Sequence, residues 1–315
     1  MSTEPAILSE EEQKAVVLIC VMAAFVDGTQ NETERSQVKR IVEGFSNERL
    51  DLSTVCQEAL LGKVSLEQVV STLQTPRAKA LAFEMAVCVC NADHVLTDEE
   101  TKFLAKLREE LKLESGPATA FQQSASALTS EPLKQPPVII SGPNKDSEVD
   151  KMIVNCATLN GALEIMPHSL ATMAIVPLQM RMVYRIGKSY GYELDRGHIK
   201  DFLATVGVGL TSQVVESYLG RLIGSVGRHV AGRFLGGLVG QAAESGIAFA
   251  STYALGQVAK RYYASNRTLS AGQLQDVFSS MLSEGRSIKG SYANEIALRS
   301  RAVKMDELLP LVRQQ

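Results

Sequence analysis

Two acidic stretches, 66 residues apart, bring together the side chains in this chain best able to do chemistry. The first holds Asp27, Asn31, Glu32 and Glu34; the second holds Asp93, Thr97, Asp98 and Glu100. Carboxylates gathered on a short loop are the hard oxygen donors from which divalent-cation sites are built. They also have a plainer use. Asn31 and Thr97 are good helix N-caps, and Glu34 and Glu100 follow three residues later, where a capping-box glutamate reaches back to the cap's backbone N–H. An acidic first turn complements the helix dipole as well. Capping accounts for every residue in the two stretches except Asp27 and Asp93, so both readings stay open. An EF-hand is excluded because its alternating ligand spacing is missing.

The elements around these loops repeat too. Cys20 to Ile41 aligns without a gap on Ala86 to Leu107, each copy an apolar helix, an acidic loop and an amphipathic helix. Leu50 to Leu73 adds helical text between the copies, and Pro76 marks a helix start. The periodicity predicts an all-α bundle with an internal pseudo-twofold repeat.

Residues 10–113 resemble the TerB family of bacterial tellurite-resistance proteins. The resemblance rests on Ala24-Phe25-Val26-Asp27-Gly28 and Asn31-Glu32-Thr33-Glu34, echoed by Asn91-Ala92-Asp93-His94 and Thr97-Asp98-Glu99-Glu100. It implies a helical domain whose paired acidic loops take a divalent metal ion, Ca, Mg, Mn or Zn. By matching position Asp27, Glu34, Asp93 and Glu100 become candidate ligands, with Glu32 and Asp98 secondary. His94 replaces the glycine of the first loop, which weakens a hard oxygen site or adds a nitrogen ligand.

From Glu114 to Asp150 the periodicity fails. Pro117, Pro132, Pro136, Pro137 and Pro143 are mixed with Ser, Gln and Thr, the composition of a flexible linker, with a transient strand at Val138-Ile139-Ile140. Beyond it, Lys151 to Ile165 and His168 to Tyr190 read as helices, the second kinked at Pro177.

A glycine-rich text follows. Gly220, Gly224, Arg228, Gly232, Gly236, Gly240 and Glu244 stand at steps of four among Leu, Val, Ile, Ala and Ser. A helical glycine costs about 1 kcal/mol relative to alanine, so such a row implies close approach of a second backbone. Phe202 to Gly220 and Phe234 to Ala259 each carry one charge, Glu216 and Glu244, and are long enough to cross a bilayer core of about 30 Å. Two readings remain: a packed or peripheral hairpin whose glutamates pair with Arg221, Arg228 and Arg233, or an inserted hairpin with those arginines at the anionic leaflet.

Residues 151–265 resemble the YcjF-type domain of unknown function that accompanies bacterial GTPases. Pro167, Gln179-x-x-Met182-x-x-Ile186-Gly187, Tyr190-Gly191 and the glycine-rich helices carry the likeness. It implies association with the inner face of the cytoplasmic membrane and with a GTPase, without a catalytic role. The chain contains no GxxxxGK[ST] loop of its own. Residues 266–315 are expected to be amphipathic helices, with Leu274, Val277, Phe278, Met281 and Leu282 as one stripe and Ile296 to Leu309 as a second helix.

Composition narrows the function. The net charge is −3 overall, but it is −7 from Met1 to Leu113 and +7 from Lys151 to Gln315. An acidic half suits cations and a basic half suits anionic surfaces; the alternative is that the two halves attract each other. Five cysteines with no CxxC pair indicate reduced thiols, and Met1 to Gln13, with four glutamates, lacks the basic n-region of a signal peptide. A cytoplasmic location is expected. His94, His168, His198 and His229 show no ligand spacing and no partnered nucleophile, and the arginines lack the aromatic interleaving of a nucleic-acid surface. The expectation is a non-enzymatic adaptor with no nucleic-acid partner. It is metal-responsive or, in the competing reading, a scaffold that self-associates into a homo-oligomer through its glycine helices.

Overall fold

A computed structural model describes residues 8–26, 63–92, 96–166, 168–207 and 247–314. All regular elements among them are helical, as the periodicity predicted. Two compact units divide between Ala125 and Ser126.

In the first unit, α1 (Glu10–Phe25) and α3 (Pro76–Cys90) form the core pair. Nearly every residue of α1 from Ala15 to Ala24 is buried, so this helix is apolar on all sides because it is covered on all sides. Each helix has a local start signal. Ser9 and Glu12 make a capping box on α1, while Thr75 caps α3 with Pro76 at its first position. The short α2 (Leu66–Ser71) packs on α1, and α4 (Asp98–Glu110) packs on α2 and α3 through Leu104 and Leu107. The first helices of the two repeat copies are therefore partners, which is what a pseudo-twofold bundle requires.

Residues 114–150, expected as a linker, contain α5 (Ser115–Ser130) and the first turns of α6 (Lys145–Ile165). Alanine and serine continue a helix despite Pro117, because a proline in the first turn removes only an N–H that has no partner there. The helix expected from His168 to Tyr190 is two helices, α7 (Ser169–Met173) and α8 (Ile175–Ser189), parted at Ala174. Pro177 lies in the first turn of α8, so the chain breaks before it rather than bending at it.

In the second unit α10 (Ile247–Ala264) is the hub, packed against α6, α8 and the long α11 (Ala271–Ala302). Small residues let the backbones approach. A Cβ at Gly285 of α11 would come within 3.0 Å of the Ala250 Cα, and one at Gly256 of α10 within 2.7 Å of the Ile153 side chain. Gly220, Gly224, Gly232, Gly236 and Gly240 lie outside the described residues.

Of the expected stripe, Leu274, Phe278, Met281 and Leu282 are buried and Val277 is half-buried at its edge. However, α11 runs unbroken to Ala302, past the expected start of a new helix at Ile296. A 3₁₀ turn (Met305–Glu307) and α12 (Leu308–Gln314) complete the chain. The apolar text starting at Phe202 is interrupted, because α9 (Arg196–Val206) ends in a left-handed Gly207 at φ 90°. Among the described residues no helix is long and apolar enough to cross a membrane; residues 208–246 lie outside them.

Candidate functional site

Of the candidate ligands, Glu100 and Asp98 are described. Glu100 is buried, and its Oε2 accepts from the Thr97 N–H at 2.8 Å and the Thr97 hydroxyl at 3.2 Å, while the Glu100 N–H donates to Thr97 Oγ1. The capping box read from the sequence is thus formed. Asp98 is exposed in the same first turn. Asp27, Glu32, Glu34 and Asp93 lie outside the described residues. Among those described, no three His, Cys, Asp or Glu side chains gather closely enough to hold a metal ion.

Glu12, which no sequence pattern singled out, does more than complete the capping box with Ser9. Its Oε1 accepts from both the N–H (2.9 Å) and the hydroxyl (2.8 Å) of Thr75, while Oε2 accepts from the Ser9 N–H. One buried carboxylate therefore serves the starts of α1 and α3. These bonds, the Thr75 N–H foremost, hold the Glu12 carboxyl below its ordinary value against the opposing effect of burial.

The second unit places polar groups in its core. Asn160 of α6 and Gln179 of α8 both donate to Thr252 Oγ1 of α10, at 2.9 and 3.0 Å, and all three residues are essentially without solvent contact. Gln179 was legible as part of a motif; its meeting with Asn160 was not, because the three residues come from helices far apart in sequence.

Arg181 is the other buried polar centre, at 3% exposure. Its Nη1 donates to the carbonyls of Pro132 and Gln135, and its Nη2 to those of Pro136 and Arg313. Burial lowers its pKa, the direction expected for a cation removed from water. One and two turns further along α8, Arg185 Nε donates to the Val138 carbonyl and the Ile140 N–H donates to Ser189 Oγ, both at 2.9 Å. Val138-Ile139-Ile140, expected as a transient strand, is therefore held by side chains and is not part of a sheet.

A cavity of about 700 Å³ lies beside the first turn of α6, lined by Asn144, Lys145, Asp146, Tyr190, Tyr263 and Asn266 among others. Tyr190 donates to Asp146 Oδ1 at 2.6 Å, and Lys145 Nζ sits 4.0 Å above the Tyr190 ring. Burial, and then Asp146, raise the tyrosine's pKa, so the phenol keeps its proton and serves as a hydrogen-bond donor to Asp146. Nothing in the lining pairs a nucleophile with a base.

Residues 13–123 match the family model described as Tellurite resistance protein TerB, and residues 144–287 match the Domain of unknown function DUF697. The chain is a TerB domain followed by a DUF697 domain. No curated protein and no solved structure matches it. Neither family is a known enzyme family, and together they fit a tellurite-resistance or GTPase-associated adaptor at family level.

The residues that carried the DUF697 likeness have structural work in this fold. Met182 and Ile186 are core, and Gly187 leaves room for Leu194 and the Tyr263 ring. Gly191 takes a left-handed φ of 88° at the end of α8. Pro167 lies outside the described residues. Between the matched domains are residues 124–143, the span clasped by Arg181.

Proposed function

We propose that this chain is a non-enzymatic adaptor in which an acidic TerB domain senses a divalent cation and a basic DUF697 domain holds the protein to an anionic surface at the cytoplasmic face of the inner membrane. The observation that carries this reading is the pairing, in one chain, of a TerB domain in a half with net charge −7 and a DUF697 domain in a half with net charge +7. Cation bound by Asp27, Glu34, Asp93 and Glu100, with Glu32 and Asp98 nearby, neutralises part of the acidic half and changes which basic surface it attracts. Carboxylates supply hard oxygen ligands, so Ca²⁺, Mg²⁺ or Mn²⁺ fits them better than a soft metal; His94 is the one nitrogen donor that would favour Zn²⁺. The partners of this reading are anionic lipid and a GTPase or other acidic protein.

Calorimetric titration of the full chain with Ca²⁺, Mg²⁺, Mn²⁺ and Zn²⁺ tests the sensing step. Saturable heat that disappears in the Asp27→Asn, Asp93→Asn double variant supports it, and no heat from any of the four removes it. Fractionation tests the surface. Release from the membrane pellet by high salt supports electrostatic holding, whereas resistance to both salt and alkaline carbonate means insertion of the glycine-rich segments. Recovery in the soluble fraction throughout favours the scaffold reading, for which the close approaches at Gly256 and Gly285 provide a precedent within the domain.

A further inference from the structure

We propose that residues 131–140 form a latch, clasped on the DUF697 domain by Arg181 and locked there by the C-terminal helix, so that the end of the chain controls the segment joining the two family domains. A buried guanidinium needs its donors satisfied or its burial becomes prohibitive. Among the described residues no carboxylate lies within ion-pair distance of Arg181; backbone carbonyls take both of its terminal nitrogens, three from the joining segment and one from Arg313 of α12, while its buried Nε has no partner among those residues. The clasp therefore holds only while both pieces of chain stay in place.

The segment is built for this use. Pro132, Pro136 and Pro137 lack N–H groups and have preset φ angles, so their stretch forms neither helix nor ladder, and its carbonyls remain available at reduced ordering cost. Arg181, Arg185 and Ser189 stand at steps of four on one face of α8. They meet successive points of the segment at Pro132 to Pro136, Val138 and Ile140. A side-chain ladder thus replaces a backbone one.

The lock is the second contact between the same two pieces. Arg313 Nε donates to Glu131 Oε1 at 2.8 Å, with Glu131 buried at 5% exposure. Leu308 and Val312, both buried, anchor α12 in position. Arg313 therefore touches the latch twice, through its side chain at Glu131 and through its carbonyl at the guanidinium that grips residues 132–136.

Hydrogen exchange of the full chain, compared with a chain ending at Ala302, tests the coupling. The expected result is at least tenfold faster exchange at the Lys134 and Ile140 amides, the two that the segment holds in hydrogen bonds, in the shortened chain, with the α10 amides still protected. Unchanged exchange at 131–140 would overturn the latch. Should the truncation also expose α10, Glu131→Gln decides, because it removes the ion pairs of Glu131 with Arg313 and Lys134 without opening a cavity; faster exchange at both 131–140 and 308–314 supports coupling, and no change at 308–314 refutes it. Arg181→Met is expected to release both pieces together, and release of one alone counts against a shared clasp. The latch stands whether or not the TerB domain binds metal.

Discussion

The carboxylate of Glu12 and the N-cap residue Thr75, 63 positions later, are joined by two hydrogen bonds to one oxygen, so the starts of α1 and α3 are tied through a single buried charge. Hydrogen bonds to a charged group contribute about 1.5–3 kcal/mol, so Glu12→Ala should lower the stability of the TerB domain by that order. The pH dependence has a definite sign. Because the folded carboxyl is held below its ordinary value near 4.5, its contribution is complete above that value and is lost as pH falls through the folded pKa. Melting curves from pH 7 to pH 3 should show wild type and Glu12→Ala converging at the acid end. Parallel curves would mean the charge is not what stabilises.

Thr252 accepts from two buried amides, so Thr252→Val should leave Gln179 without its acceptor and Asn160 with only the Ile175 carbonyl at 3.4 Å. The cost is about 2–4 kcal/mol, from the desolvation of unsatisfied groups. The triple replacement Asn160→Leu, Gln179→Met, Thr252→Val should cost much less than the sum of the single losses, since a network removed whole leaves no orphans. Urea unfolding of the four variants measures this, and additive losses would show that the three side chains do not act together.

Two glycines of α11 should respond in opposite directions to the same change. Gly290 has open space where a Cβ would go, so Gly290→Ala should stabilise by about 0.5–1 kcal/mol through helix propensity. At Gly285 the new methyl meets the backbone of Ala250, which cannot swing aside as a side-chain tip can. Gly285→Ala should therefore destabilise by about 1–3 kcal/mol. Thermal melts of the two variants suffice, and equal shifts would rule out a close approach of α10 and α11.

Cys20, Cys88, Cys90 and Cys156 are buried thiols outside any disulfide, and burial pushes the Cys156 thiol up to about 12. The thiolate is the reactive form, so these four should resist alkylation in the native protein at pH 8 and react once it is unfolded. Mass spectrometry of the alkylated peptides reports each position separately. Rapid native labelling of Cys156 would contradict its placement against the α8 backbone.

The local signals of this chain were sufficient for local structure. Ser9, Thr75, Thr97, Asp195 and Ser270 begin helices because a short polar side chain can accept from the third residue beyond it, a relation contained in four consecutive residues. The all-α class, most of the buried stripe of α11 and the two family resemblances were legible for the same reason, since periodicity and motifs are properties of neighbours in sequence. What the sequence could not determine depends on partners far apart in the chain. A proline-rich stretch reads as a linker until Arg181, some 45 residues on, supplies donors for its carbonyls. Glycines announce close approach without naming the backbone they approach, and the sequence pointed to Gly220 to Gly240 while the described packing lies at Gly256 and Gly285. Gln179, Asn160 and Thr252 are ordinary polar residues in three separate helices, and only the packing of α6, α8 and α10 makes them one network. Energies of burial and hydrogen bonding are set by which groups meet, and in this protein the tertiary structure decided those meetings.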